Sequence, residues 1–197
     1  MSITVSVKKC CQELLSDMTA AINDDLICLR RFSESDIPMW ASWFNNPEVT
    51  HFMNKGETKT TVEMQRKHME AMEASESDVQ LAIVEDGSDM LVGSVGLHKI
   101  SKKHQTADLS ILIGEPQAWG KGYGTAAIAL MLTYGFLELG LHKITGGMWS
   151  GNAASEKCFI NNGFKHEGTK RQQFICDGDY VDELCYGLLR SEWGGQR

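Results

Sequence analysis

Leu109-Ser110-Ile111-Leu112-Ile113-Gly114-Glu115-Pro116-Gln117-Ala118-Trp119-Gly120-Lys121-Gly122-Tyr123-Gly124-Thr125 is the stretch on which the reading of this chain turns. It opens with an apolar run, passes through closely spaced glycines, and leads into Ala126-Ala127-Ile128-Ala129-Leu130-Met131-Leu132. The pattern predicts strand, loop and helix. Glycine allows a tight turn and a close approach of the backbone to a ligand. The first amides of a helix lack an internal partner and lie at the positive end of its dipole, so the loop reads as a cradle for a phosphate.

Working outward, Val79–Glu85 and Met90–Leu97 are strand-like and flank the turn signal Asp86-Gly87-Ser88-Asp89; Ala107–Gly114 follows the polar turn 101–105. Short polar turns between successive strands predict an antiparallel meander. Upstream, Leu26–Arg30 reads as the first strand. Ser33 and Asp36 stand in capping-box-like positions before a helix through Met39, Trp40, Trp43 and Phe44, whose aromatics make a core stripe. A second helix is expected over Thr60–Ala74, with His68 as a solvated residue. His51–Gly56 between the two is expected as a substrate-facing loop. Downstream, Thr125–Leu139 is apolar almost all round, a central helix that Gly140 ends. Lys143–Trp149 is a strand, Asn152–Asn161 a helix stopped by Gly163, and His166–Ile175 with Tyr180–Leu189 a hairpin about Asp177-Gly178.

The chain has 197 residues, enough for one domain with a sizeable core. Residues 1–25 stand apart. Val7, Cys10, Cys11, Leu14, Leu15 and Met18 recur at helical spacing, and that segment could pack on the domain, contact another subunit of a homodimer, or fray. No repeat or linker divides residues 26–197, which read as a single mixed α/β domain. The N-terminus lacks the apolar core of a signal peptide and no run suggests a membrane span, so a cytoplasmic location is expected. The net charge of −7 argues against nucleic acid and leans towards a cationic substrate. Six cysteines form no CxxC pair, and no His/Cys spacing suggests a metal; buried thiols are expected rather than disulfides.

A nucleotide P-loop requires GxxxxGK[ST], which Gly120-Lys121-Gly122 does not continue. A dinucleotide-binding fold, the oxidoreductase alternative, places its glycines in the first βαβ unit rather than after an antiparallel meander. With Asn152-Ala153-Ala154-Ser155, Gly163-Phe164, Asn46-Pro47-Glu48-Val49, and the end running from Tyr180-Val181-Asp182 to Glu192-Trp193, the sequence resembles the GCN5-related N-acetyltransferase (GNAT) family and its RimJ/RimL-like branch over Leu26–Trp193. The resemblance implies a mostly antiparallel sheet, splayed between its fourth and fifth strands, with helices on both faces and acetyl-coenzyme A in the splay. It implies that Leu112, Ile113 and Gly114 present backbone groups to the pantetheine arm. Trp119, Gly120, Lys121, Gly122, Tyr123, Gly124 and Thr125 would form the pyrophosphate loop, and Asn152 and Ser155 would meet the coenzyme from the far side.

Acetyl transfer to an amine requires that the ammonium, with a pKa near 10, lose its proton, and that the developing oxyanion meet a fixed amide. Direct attack in a ternary complex needs no covalent enzyme intermediate. Asp108 opens the fourth strand where several family members carry an acidic base; it serves as that base or only holds the acceptor's charge. Glu115 is a less well-placed alternative. Many relatives carry a tyrosine as general acid where this chain has Phe159, which has no proton to give. Ser155 or Tyr180 could serve instead, the thiolate could leave into water, or Ser155 could only cap its helix. Cys158 reads as packing, and His98, His104, His142 and His166 receive no role. The expectation is an acetyl-coenzyme A-dependent N-acetyltransferase acting on a protein N-terminus or a small-molecule amine, with no metal. The rival is a coenzyme A-binding sensor or interaction module.

Overall fold

The computed structural model describes residues 25–53 and 58–194, and the backbone of 22–23. The helix expected near the N-terminus, with Cys10 and Cys11, lies outside the described residues, as do residues 54–56 of the expected loop.

One sheet organises the rest. Its strands are β1 (Ile22–Asn23), β2 (Ile27–Arg30), β3 (Val79–Glu85), β4 (Leu91–Ser101), β5 (Thr106–Ile113), β6 (Lys143–Trp149), β7 (Lys165–Cys176) and β8 (Asp179–Leu189). Their order across the sheet is β1-β2-β3-β4-β5-β6-β8-β7, and every neighbouring pair is antiparallel except β5 and β6. The short β1 pairs with β2, so the sheet begins four residues before the expected boundary at Leu26. Counted from β2, the parallel pair joins the fourth and fifth strands, as expected. β4 outruns its expected end at Leu97, because a register shift between His98 and Ser101, with Lys99 at φ 51°, lets it pair on to the turn. The β7–β8 hairpin turns at Asp177 and Gly178, both with positive φ, as that dipeptide demands.

Helices cover both faces. α1 (Ile37–Trp43), α2 (Pro47–Thr50) and α3 (Val62–Glu73) precede β3; α4 (Tyr123–Thr133) follows β5 and α5 (Ala153–Asn161) follows β6. The side-chain alternation of β5 sends Ala107, Leu109, Ile111 and Ile113 to the α4 face and Asp108, Ser110 and Leu112 to the other. α4 buries Ala127, Ile128, Met131 and Leu132 in the main core, as its apolar circumference predicts. Each of its large apolar side chains stabilises the fold by roughly 1.5–3 kcal/mol. The expected continuation to Leu139 is a wider helical turn, Tyr134–Glu138, before Gly140.

On the opposite face Trp40, Trp43, Met69, Ala82 and Val84 form a second core, with Phe32 stacked on Trp40 at 3.9 Å. The capping box is present in substance: the Ser33 backbone N–H and hydroxyl both donate to Asp36, which also pairs with Arg30 at 2.6 Å. The expectation of buried thiols is corrected. Cys28, Cys158, Cys176 and Cys185 form no disulfide among the described residues, but all four are only half-buried.

Candidate active site

β5 and β6 pair only at Thr106↔Lys143, Ala107↔Ile144 and Asp108↔Thr145, although β5 runs on to Ile113 and β6 to Trp149. Each strand keeps its other neighbour throughout, β4 for β5 and β8 for β6. The sheet is therefore parted along Leu109–Ile113 and Gly146–Trp149. Backbone groups along a strand point to its two neighbours alternately. Gly114 N–H donates to Val92 O at 2.9 Å, which aims Gly114 and, two residues back, Leu112 towards β4. Ile111 and Ile113 therefore face the parting, as does Leu109, whose carbonyl lies beside Gly146. Of the three residues expected to present backbone groups there, Ile113 faces the parting, with its carbonyl taken by Trp119, while Leu112 and Gly114 face β4. Ile111, not singled out in the sequence, faces the parting as well, a direction that the period of two could have shown. At Gly114 the Trp43 indole lies directly against the Cα, in space a side chain would need.

At the open end of the parting, β5 hands the chain to the glycine loop and α4. Trp119 donates its indole N–H to Ile113 O at 2.7 Å. Gly120 and Gly122 have φ of +75° and +91°, and Gly122 is the N-cap of α4. The first backbone bond of the helix runs from Ala126 N to Gly122 O, so the amides of Tyr123, Gly124 and Thr125 precede the helical ladder. No atom lies within 4 Å of where a Cβ at Gly120 would stand, which leaves its solvent side open to an anion. Side chains tie the loop down from behind. The Tyr123 hydroxyl donates to Glu85, and Lys121 Nζ lies 4.0 Å from the same carboxylate. The Tyr123 bond, then one from the Ser88 hydroxyl and last the Lys121 charge, hold Glu85 below its usual carboxylate range, and the bond to Glu85 raises Tyr123. The donor set is neutral amides on a helix N-terminus, which fits a coenzyme pyrophosphate.

β6 hands the chain to α5 on the far side. Asn152 is its N-cap, with Oδ1 accepting from Ser155 N at 3.1 Å. The cap is thus Asn152; Ser155 supplies the capped amide and keeps its hydroxyl. Phe159 is buried, with its ring against Gly146 and near Leu109 O at the point where the strands part. Tyr186 lies on the same side, its hydroxyl donating to Glu156 at 2.6 Å, and that bond pushes its pKa up to about 12. Tyr180 stands 67% exposed on the β7–β8 hairpin and bonds to none of the other candidates.

The face of the parting turned away from α4 is polar. Asp108 accepts from Thr145 Oγ1, next to it across the last ladder pair, and from Lys99 Nζ at 2.9 Å. Burial pushes Asp108 up, but Thr145 and Lys99 outweigh it and hold the carboxyl below its usual value. Across the parting, Glu183 lies over Gly147 and pairs with Lys170 at 2.9 Å. His98, assigned no role from sequence, bonds through Nε2 to Ser110 Oγ at 2.7 Å and through Nδ1 to Asp78 Oδ1 at 3.2 Å. At the rim, His51 Nδ1 lies 3.7 Å from Asp177 Oδ2, which brings the start of the expected substrate-facing loop to the hairpin tip. A separate concavity of about 620 Å³ between α3, β3 and Tyr134–Leu141 contains no residue of the glycine loop, so size alone does not mark the site.

Comparisons with known proteins agree with this geometry. The family described as "Acetyltransferase (GNAT) domain" matches residues 27–165. An uncharacterized N-acetyltransferase of Bacillus subtilis, YoaA, is 26% identical over 176 residues, covering 88% of this chain and 98% of its own. The fold is shared with Vibrio cholerae spermidine N-acetyltransferase, solved with coenzyme A and spermine, at TM-score 0.78 and 22% identity over 86% of this chain and 98% of that one. It is also shared with Mycobacterium smegmatis RimJ, solved with CoA-disulfide, at TM-score 0.75 and 19% identity over 84% and 83% of the two chains.

Proposed function

We propose, for a chain that belongs to the GNAT acetyltransferase family and is an acetyl-coenzyme A-dependent N-acetyltransferase, that the parting between β5 and β6 holds the coenzyme and that the polar face beside it receives a cationic amine. The observation that carries this reading is the end of the β5–β6 ladder at Asp108 and Thr145, directly ahead of a helix N-terminus with open amides.

In this reading the coenzyme supplies the acetyl group as a thioester. The amides of Gly120, Lys121, Gly122, Tyr123, Gly124 and Thr125 hold its pyrophosphate. Ile113, with Ile111, meets the pantetheine arm along the free edge of β5, and the Asn152 amide group meets it from α5. Trp119 takes the Ile113 carbonyl, so Ile113 offers the arm its amide. The edge amides that β6 leaves unladdered provide a fixed donor for the oxyanion. The amine attacks directly in a ternary complex.

Asp108 is better suited to anchoring the acceptor's charge than to taking its proton, because Thr145 and Lys99 keep it a weak base. Ser155 is favoured over Tyr180 as a proton source for the thiolate, since it sits in the first turn of α5 beside Asn152 while Tyr180 is on the exposed hairpin. The acceptor is a small polycation in this account, supported by the net charge of −7 and by Asp108 and Glu183 beside the parting, whose partners Lys99 and Lys170 are exposed side chains that an acceptor ammonium would replace. A protein N-terminal amine, the acceptor class of a RimJ/RimL-like enzyme, is the competing substrate. The enzyme is read as cytoplasmic, metal-free and independent of nucleic acid and membrane, with a homodimer as a compatible assembly.

One observation favours a second reading. Phe159 puts an aromatic ring without a proton at the parting, which would suit a protein that binds coenzyme A without turning it over. Thiol release from acetyl-coenzyme A, measured across polyamines, amino sugars and N-terminal peptides, separates the two. Release with a polyamine supports the proposal; stabilisation by coenzyme A without release on any amine replaces it with the binding module.

A further inference from the structure

We propose that His98, with Ser110 in front of it and Asp78 behind it, is the proton acceptor for the amine. The inference rests on the acetyl-transfer reading above and assigns the one role that reading leaves open.

Ser110 lies on β5 two residues past the last pair of the β5–β6 ladder, on the polar face, and is exposed. Its hydroxyl thus stands where the strands begin to part, 2.7 Å from His98 Nε2. The register explains how the imidazole arrives there. His98 pairs with Asp108, and Gly96 pairs with Ser110. The ring leans back along β4 over Gly96, where a Cβ would stand only 2.8 Å from Nε2. A residue without a side chain at 96 is what lets His98 reach Ser110 rather than its own register partner.

The other end of the ring is fixed. Asp78 accepts from the hydroxyls of Ser75 (2.8 Å) and Ser77 (2.9 Å) and from the Lys99 backbone amide (3.2 Å). Burial raises Asp78, and these donors together with His98 more than offset it, so it stays ionised. An ionised carboxylate only accepts, so the hydrogen of the neutral imidazole belongs on Nδ1, leaving the Nε2 lone pair for the Ser110 hydroxyl. The groups facing His98 are Asp78 from the segment before β3, Ser110 and Asp108 from β5, and Lys99 beside it on β4; the nearest group from α3 is His68, which bonds instead to Gln80, the register partner of Gly96.

The step balances without another reactant. The ammonium gives a proton to Ser110 Oγ as Ser110 gives its own to His98 Nε2, leaving a free amine, an unchanged serine and an imidazolium beside Asp78. The amine nitrogen then forms its bond to the acetyl carbon, the carbon–sulfur bond breaks, and Ser155 gives its hydroxyl proton to the departing sulfur while taking up the second nitrogen proton. The imidazolium returns its proton to solvent. Asp108, already engaged by Thr145 and Lys99, has no such route.

The test compares the parent with His98→Gln and Ser110→Ala, reading kcat against pH with one polyamine, and coenzyme A binding by thermal shift. The amine's own titration is common to all three and cancels in the ratio. His98→Gln is expected to lower kcat by about 100-fold or more. The parent-to-variant ratio should rise with pH as the imidazole becomes neutral, and coenzyme A should stabilise the variant as it does the parent. Ser110→Ala, at an exposed position, should lower kcat in the same direction, and Ser110→Thr should restore most of it. Parental kcat and pH dependence in His98→Gln overturns the assignment while leaving the acetyl-transfer reading intact. A parent that turns over no amine overturns both.

Discussion

Trp119 donates its indole N–H to the carbonyl of Ile113 at 2.7 Å, across the six residues that connect β5 to the glycine loop. The bond closes the turn between the edge read as the pantetheine site and the loop read as the pyrophosphate site. Trp119→Phe keeps an aromatic ring and removes the donor. A hydrogen bond of this kind contributes about 1 kcal/mol, so coenzyme A affinity should fall roughly fivefold by calorimetry, with kcat nearly unchanged.

Gly122 separates conformation from charge. Its φ of +91° strains any side chain, and Gly122→Ala should destabilise the fold by about 1–2 kcal/mol by denaturant titration. Gly122→Asp should do the same and also place an anion at the α4 N-terminus. If the loop holds the pyrophosphate, only the aspartate variant loses coenzyme A binding; equal affinity in the two variants would refute the cradle.

Asp108 should act on binding rather than on protonation. Asp108→Asn is expected to raise KM for a polyamine severalfold while leaving the shape of kcat against pH as in the parent. A changed pH profile of kcat would return Asp108 to the role of base.

Stability against acid should report Asp36. Burial raises this carboxyl, but Arg30 and the Ser33 amide and hydroxyl outweigh it, so its folded pKa lies below the unfolded value of about 3.9. The sign follows: its contribution is complete above the unfolded pKa and disappears as pH falls through the lower folded value. Asp36→Ala strands a half-buried Arg30 and should cost about 3 kcal/mol near neutrality. The difference from the parent should shrink as pH drops below about 4. A constant difference down to a pH of about 2 would contradict this assignment.

Much of the fold is legible in the sequence because local rules decide it. Asp177-Gly178 sets a hairpin, the apolar circumference of α4 buries it, and the meander precedes the glycine loop. The site divides along another line. Gly120, Gly122 and Asn152 announce themselves through turn and cap chemistry that acts within a few residues. Ile111 was hidden because its place at the parting is set by backbone direction, which depends on register with β4 rather than on residue type. His98, Ser110 and Asp78 lie on separate segments 12 and 20 residues apart, and a bulge and a glycine bring them together. No spacing in the sequence encodes that meeting. The half-buried cysteines were misjudged for a related reason, since apolar neighbours in sequence do not fix which side of a strand, or of a helix for Cys158, a thiol takes.

Whether the parting between β5 and β6 is the coenzyme site is decided by a crystal structure with bound acetyl-coenzyme A. The pyrophosphate should lie within hydrogen-bonding distance of the amides of Tyr123, Gly124 and Thr125, and the pantetheine arm against the free edge of β5 at Ile111 and Ile113. A coenzyme bound elsewhere, with the β5 edge untouched, would contradict that placement.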